Sequence, residues 1–218
     1  MLHFHIITLF PESIEPYLKS SIIGRAQKSK KIKVSFHDPK KFTRDPSTKL
    51  RAGKYGRVDR RPYGGGPGMV LEADAILRAA QKAVKQKAEV VFFTTVGEQF
   101  DEAMARKLSR KRNIVLIAGH YEGVDERVAK ILKAKKVSMG PFVLTGGELP
   151  AATLIDAVSR FVPGVLGKAE SLEASRVSSP EVYTRPEVLT WKGKKHRVPK
   201  VLLTGHHAKI EEWKKSRR

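Results

Sequence analysis

Two short stretches place glycine beside side chains able to bind a ligand or move a proton: Gly119–Gly123 (GHYEG) and Gly140–Gly147 (GPFVLTGG). Glycine removes side-chain bulk and permits positive φ, so loops of this kind let backbone N–H and C=O groups close on a ligand. The chemistry they offer is recognition by main chain, a pocket built from backbone groups. Plain strand-to-helix connections have the same composition, and composition alone leaves both readings open. No G-x-G-x-x-G follows an expected strand and no G-x-x-x-x-G-K-[ST] occurs, so the two commonest nucleotide fingerprints are absent. The chain has no cysteine, which removes disulfides, thiolate metal sites and a cysteine nucleophile from consideration.

The elements that must position these loops follow from hydrophobic spacing. Ile114 to Ala118 is a continuous apolar run, as expected of a strand buried on both faces and ending at Gly119. From Val124 the spacing turns helical, with Val124, Val128, Ile131 and Leu132 on one face and Asp125, Glu126 and Arg127 at the start. A second short strand, Lys136 to Met139, leads into the second loop. Both loops then lie beyond the carboxyl ends of strands, where open α/β sheets bind ligands. Other strands are expected at His3–Phe10, Val90–Thr94 and, half exposed, Ile32–Phe36. Helices are expected after Pro11, from Ala73 to about Lys87, over Asp101–Arg110, and over Leu149–Phe161 with Leu154, Ile155 and Val158 inward and Arg160 near the end. This alternation predicts an α/β protein with a mostly parallel sheet. The glycine and proline of Tyr63–Gly68 require a shaped turn there.

The chain carries 43 Lys and Arg against 22 Asp and Glu in 218 residues, a formal charge of +21. Such an excess points to a polyanion, although a merely soluble basic surface has the same composition. Between Lys40 and Arg61 nine basic residues meet only Asp45 and Asp59, a net +7 without regular periodicity. That loop reads either as solvated or as an RNA-backbone contact with Tyr55 and Tyr63 able to stack on bases. Residues 163–190 show no period and read as a connector, and 191–218, with ten basic residues against Glu211 and Glu212, form a second phosphate-binding candidate. The opening HFHIITLF is too short, and too interrupted by histidine, for a membrane span or a signal peptide. A soluble cytoplasmic protein without membrane association is expected.

Five blocks occur in the order of a known family: Arg61–Met69 (RPYGGGPGM), Gly119–Arg127 (GHYEGVDER), Leu144–Pro150 (LTGGELP), Asp156–Gly167 (DAVSRFVPGVLG) and Tyr183–Val188 (YTRPEV). Over roughly Phe4 to Trp213 the chain resembles the bacterial tRNA (guanine-N1)-methyltransferases of the TrmD family. The resemblance implies a SPOUT-type α/β fold with a deep trefoil knot and a small, mainly helical C-terminal domain. It implies domains at 1–162 (knotted, cofactor-binding), 163–190 (linker) and 191–218 (basic, tRNA-binding), in a homodimer with a shared active site. The implied reaction is methylation by S-adenosylmethionine of N1 of the guanosine immediately 3′ of the anticodon, on the anticodon arm of tRNA, with magnesium as a further cofactor.

By the same resemblance, Thr95, Gly119, Tyr121, Glu122, Met139, Gly140, Pro141, Phe142, Val143, Leu144, Gly146, Gly147 and Pro150 hold the methyl donor. Thr95 stands where the family often has proline, and Pro141 where an acidic residue is more usual. Because N1 carries a proton, the reaction needs a base, and charge growing on O6 needs a donor. Arg160 matches the arginine given that second role. The family's aspartate base falls, reading forward without gaps from Gly167, on Ser175, a poor proton acceptor. Glu173 is the candidate substitute and Glu170 the next; the alternative is a non-catalytic tRNA- and cofactor-binding relative. Leu202–Ala208 (LLTGHHA) resembles the family's L-L-S-G-N-H-A, with His206 for asparagine. His206 and His207 lack companions at metal-ligand spacing, so a structural role at a helix start is expected and no metal ligands are assigned. The chain stops sooner than typical members, so its grip on the anticodon arm is expected to rest more on the basic loops.

Overall fold

The computed structural model describes residues 1–43, 57–83, 87–166 and 181–217. These fall into two compact units, Met1–Leu166 and Gly167–Arg218. In the first unit β1 (Leu2–Ile7) is followed by α1 (Glu15–Lys19), α2 (Ser21–Lys28) and β2 (Ile32–His37). A small antiparallel pair, β3 (Asp59–Arg60) and β4 (Val70–Leu71), precedes α3 (Ala73–Ala83). Then come β5 (Glu89–Gln99), α4 (Glu102–Ser109), β6 (Asn113–Ile117), α5 (Arg127–Ile131), β7 (Lys135–Ser138) and α6 (Glu148–Ser159). The main sheet has five strands in the order β2-β1-β6-β5-β7, and every pairing is parallel. The α/β class with a parallel sheet is therefore as expected.

Both faces of the sheet are covered, which is why β6 reads as an unbroken apolar run. Alternate residues of each strand serve opposite faces. Leu2, Phe4 and Ile6 of β1 join Ile114 and Leu116 of β6 and pack under α1, α2, α4 and α6. Ile7, Val115, Ile117 and Phe92 pack on the other side against Ala75, Ile76, Ala79 and Ala80 of α3 and Val128 of α5. Leu154, Ile155 and Val158 of α6 are fully buried, as their spacing predicted, and each contributes about 1.5–3 kcal/mol by leaving water.

Three local expectations are corrected. The helix expected from Val124 starts at Arg127. The backbone before it is engaged elsewhere: Leu71 N donates to Gly123 O at 3.0 Å, and Asp125 N donates to Leu71 O at 3.0 Å. Asp125 Oδ1 then accepts from Arg127 N at 2.9 Å and starts the helix, and Ile131, expected inward, is 62% exposed. Second, β5 runs five residues beyond Thr94 to Gln99, with a register shift between Phe93 and Glu98 against β7. Third, β8 (Val188–Trp191) begins inside the stretch read as a connector and pairs antiparallel with β9 (Lys194–Arg197). The second unit continues with α7 (Lys200–Leu203) and α8 (His207–Lys215). His206 is the N-cap of α8, the helix-start position expected of it. The Tyr63–Gly68 turn has positive φ at Gly64, Gly65, Gly66 and Gly68. Among the described residues, no helix is long and apolar enough to cross a membrane.

Candidate ligand-binding cavity

The carboxyl ends of β5, β6 and β7 open into one cavity of about 390 Å³. Its size is within the range of small-ligand sites. The β5 irregularity brings Thr94 and Thr95 to its wall, the loop after β6 supplies Gly119 to Val124, and the loop after β7 supplies Met139 to Gly147. Every residue that the resemblance assigned to the methyl donor lines this cavity except Pro141, whose neighbours Gly140 and Phe142 do. Arg160 does not line it. It is the C-cap residue of α6, the helix whose first turns reach the cavity at Gly147 and Pro150. At 1.5 Å per residue, it is about 15–20 Å along the helix from those two residues. Glu173, Glu170 and Ser175, and most of the basic loop of 40–61, lie outside the described residues.

The two loops are joined to each other. Gly147 N donates to Gly119 O at 2.7 Å, and His120 bridges Gly146 across an antiparallel pair. Gly147 approaches so closely that a Cβ there would be 2.5 Å from Ala118 Cα and 2.8 Å from Gly119 N. Only glycine permits this seam, which fixes the spacing of the two walls. Tyr121 takes a positive φ of 59° to turn the first loop, closed by Gly123 N donating to His120 O at 3.1 Å. The second loop starts at buried Ser138, whose Oγ donates to Gly140 O at 3.1 Å.

The electrostatics of the wall run against those of the chain. Among the described residues, no lysine or arginine lines the cavity, whereas Glu122 and Glu126 do, although Lys136 pairs with Glu126 at 2.7 Å from outside the wall. At the seam, Glu148 is buried at 6% exposure and accepts from Thr8 Oγ1 at 2.6 Å. Its second oxygen is 3.7 Å from His120 Nδ1. His120, Ser138 and Glu126 border the cavity without having been assigned to it from sequence. His120 and Glu126 sit inside a block of family resemblance, and Ser138 directly precedes Met139. The link from Thr8 to Glu148 spans 140 residues and has no local signal. Among the described residues, no group of three or more His, Asp or Glu side chains is placed to hold a metal ion.

A wall of glycine backbone with aromatic and aliphatic side chains and no cationic one fits a cationic, adenosine-sized ligand. The cavity sits at the carboxyl edge of the sheet. A sequence model described as tRNA (Guanine-1)-methyltransferase TrmD matches residues 2–218. A protein of Pseudoalteromonas atlantica named tRNA (guanine-N(1)-)-methyltransferase is 41% identical, over 97% of this chain and 78% of that one. Proteins of the same name from Lachnospira eligens (42% identical, 98% of this chain and 88% of that one) and Porphyromonas gingivalis (40%, with 98% and 92%) are similar over comparable lengths. All three names are those of an enzyme. By a match over nearly its whole length, the chain belongs to the tRNA (guanine-1)-methyltransferase family of TrmD.

Proposed function

We propose that this protein transfers a methyl group from S-adenosylmethionine to N1 of a guanine in tRNA, the guanosine immediately 3′ of the anticodon. The observation that carries the reading is the glycine-walled cavity beyond β5, β6 and β7, lined by no lysine or arginine among the described residues in a chain of net charge +21. A sulfonium ligand is favoured by such a wall and an anionic one is not. The residues present fit the donor: Gly119, Gly140, Gly146 and Gly147 put backbone without side chains in the wall, and Met139, Phe142 and Leu144 offer apolar surface. Bound there, the donor supplies an electrophilic methyl.

The remaining steps belong to the chain's own side chains. A carboxylate accepts the N1 proton, and Glu173 is the candidate, with Glu170 next. Arg160 donates to O6 as negative charge grows there. Because Arg160 is about 15–20 Å along α6 from the cavity residues at the helix's other end, it reaches the reacting base from a second copy of the chain. That distance supports a homodimer whose sites are shared. The loop crossing at Gly119–Gly147 belongs, in this reading, to a trefoil knot, and the protein acts in the cytoplasm. The exposed basic hairpin β8–β9 and the basic stretch around 40–61 bind the RNA backbone. Magnesium finds no cluster of ligands among the described residues, so no step is assigned to it.

The deciding experiment is methyl transfer from labelled S-adenosylmethionine to an unmodified tRNA transcript, beside a transcript with adenosine at the target position. Labelling that requires the guanosine and is lost in Glu173→Gln is the expected result. No labelling, with both ligands still bound, would leave only a binding protein.

A further inference from the structure

His120, which borders the cavity, and Glu148, buried behind it, face each other at the seam of the two loops. Glu148 is buried, and one of its oxygens is held by Thr8 Oγ1, which is itself 1% exposed and accepts from Phe10 N at 3.0 Å. The other oxygen faces His120 Nδ1 at 3.7 Å, and that nitrogen is buried without a hydrogen-bond partner. The ring is fixed by Phe10 and Tyr121, with centroids at 4.7 and 4.9 Å. A bare lone pair on Nδ1 pointed at a buried carboxylate would be repulsive, whereas an N–H there is attracted. Nδ1 therefore carries the proton. Nε2 is not buried and has no hydrogen-bond partner among the described residues, and His120 borders the cavity, so in the neutral ring this nitrogen is an acceptor with access to the cavity.

We infer that Glu148 is a positioning residue that acts through His120. It imposes the Nδ1–H tautomer and thereby gives the cavity wall one side-chain acceptor, His120 Nε2, for an N–H or O–H donor of the adenosylmethionine ligand. The inference rests on the methyl-donor reading of the cavity. Oriented imidazoles in enzymes and metal sites use the same device, in which the partner of one ring nitrogen decides the role of the other. The pair also ties the two loops, since His120 belongs to the first and Glu148 follows the second.

The test begins with the unliganded wild-type protein. Long-range ¹H–¹⁵N spectra of its histidine side chains at pH 8.5, with His120 assigned from His120→Asn, are expected to show the Nδ1–H tautomer. An Nε2–H ring or a doubly protonated one overturns the inference, whether or not any variant folds. Calorimetric titration with S-adenosylhomocysteine then reads the ligand half. His120→Asn keeps a donor near Nδ1 and removes the Nε2 acceptor, which should weaken binding roughly 3- to 10-fold, the worth of one hydrogen bond. Glu148→Gln should weaken it similarly and shift the ring toward Nε2–H, and the double variant should lose no more than His120→Asn alone. Additive losses would overturn action through His120. A wild-type protein that shows the Nδ1–H tautomer but binds no S-adenosylhomocysteine would instead sink the methyl-donor reading, and the acceptor role with it.

Discussion

Gly147→Ala tests the seam on which the cavity is built. The glycine has φ −82° and ψ 0°, which alanine adopts readily, so the substitution introduces no backbone strain and only the methyl group matters. That methyl would be 2.5 Å from Ala118 Cα, 2.8 Å from Gly119 N and 2.9 Å from Ala118 C, all backbone atoms of the β6 end. Carbon–carbon contact is optimal at about 3.5–4.0 Å, so one strand end or the start of α6 must move by about 1 Å. The move also stretches the 2.7 Å bond from Gly147 N to Gly119 O. Overpacking costs about 1–3 kcal/mol and the lost bond about 0.5–1.5, so unfolding stability should fall by roughly 2–4 kcal/mol. For a unit of this size the expected drop in Tm is roughly 4–16 °C. Cofactor affinity should fall as well, because the displaced atoms are the cavity wall. Differential scanning calorimetry and titration with S-adenosylhomocysteine measure both. A variant with unchanged Tm and unchanged affinity would refute the claim that the close approach of the two loops sets the site.

Other perturbations separate the remaining contributions. Gly65→Ala, at φ +82° with nothing within 4 Å of an added Cβ, should cost only the conformational penalty of about 1–2 kcal/mol and leave cofactor affinity unchanged. Thr8→Val removes the hydroxyl donor to buried Glu148 and should lower stability by about 1–3 kcal/mol in urea unfolding. His3 and His5 both have pKa values lowered to about 4, first by burial and then by neighbouring charge, chiefly each other for His3 and His37 for His5. The unfolded chain therefore binds more protons between about pH 4 and 6.5, so their contribution is complete above pH 6.5 and is lost as pH falls toward 4. Urea unfolding at pH 7.5 and 5 should differ by about 2 kcal/mol after allowance for solvent screening, and His5→Asn should flatten the slope. If Arg160 acts across a dimer, Arg160→Ala and Gly147→Ala subunits, each inactive alone, should recover about a quarter of wild-type turnover when unfolded and refolded together, since half of the dimers then hold one intact site.

Much of this site was legible because its signals are local. The end of β6 at Gly119 and the start of the second loop follow from apolar runs meeting glycine, and the buried face of α6 follows from a period of 3.6. What escaped depends on atoms far apart in the chain. The late start of α5 could not be read from its apolar spacing, because β4 takes up the backbone of Gly123 and Asp125 and no window of sequence contains both partners. The register shift in β5 is imposed by β7, some forty residues later. The Thr8–Glu148–His120 link is of the same kind, since Thr8 looks like one more strand residue until α6 places a carboxylate against it.

In the proposed reading, the charge distribution lets one chain serve two opposed ligands. An RNA backbone calls for cations on the surface, and β9 exposes Lys194, Lys195, His196 and Arg197 together. A sulfonium donor calls for their exclusion, and among the described residues the cavity is lined by glycine backbone, apolar and neutral polar side chains and two carboxylates, Glu122 and Glu126, with no lysine or arginine. A wall of carboxylates would attract the cation more strongly, but it would also repel the phosphates that must come near during transfer. Main-chain dipoles avoid both penalties, and they require the loops to be close, which returns the burden to Gly147 and the seam it closes. Arg160 is at the far end of α6, outside the cavity. In the proposed reading, where it is the cation at O6, a shared site in a dimer would let that charge reach the base without spending its time beside the sulfonium.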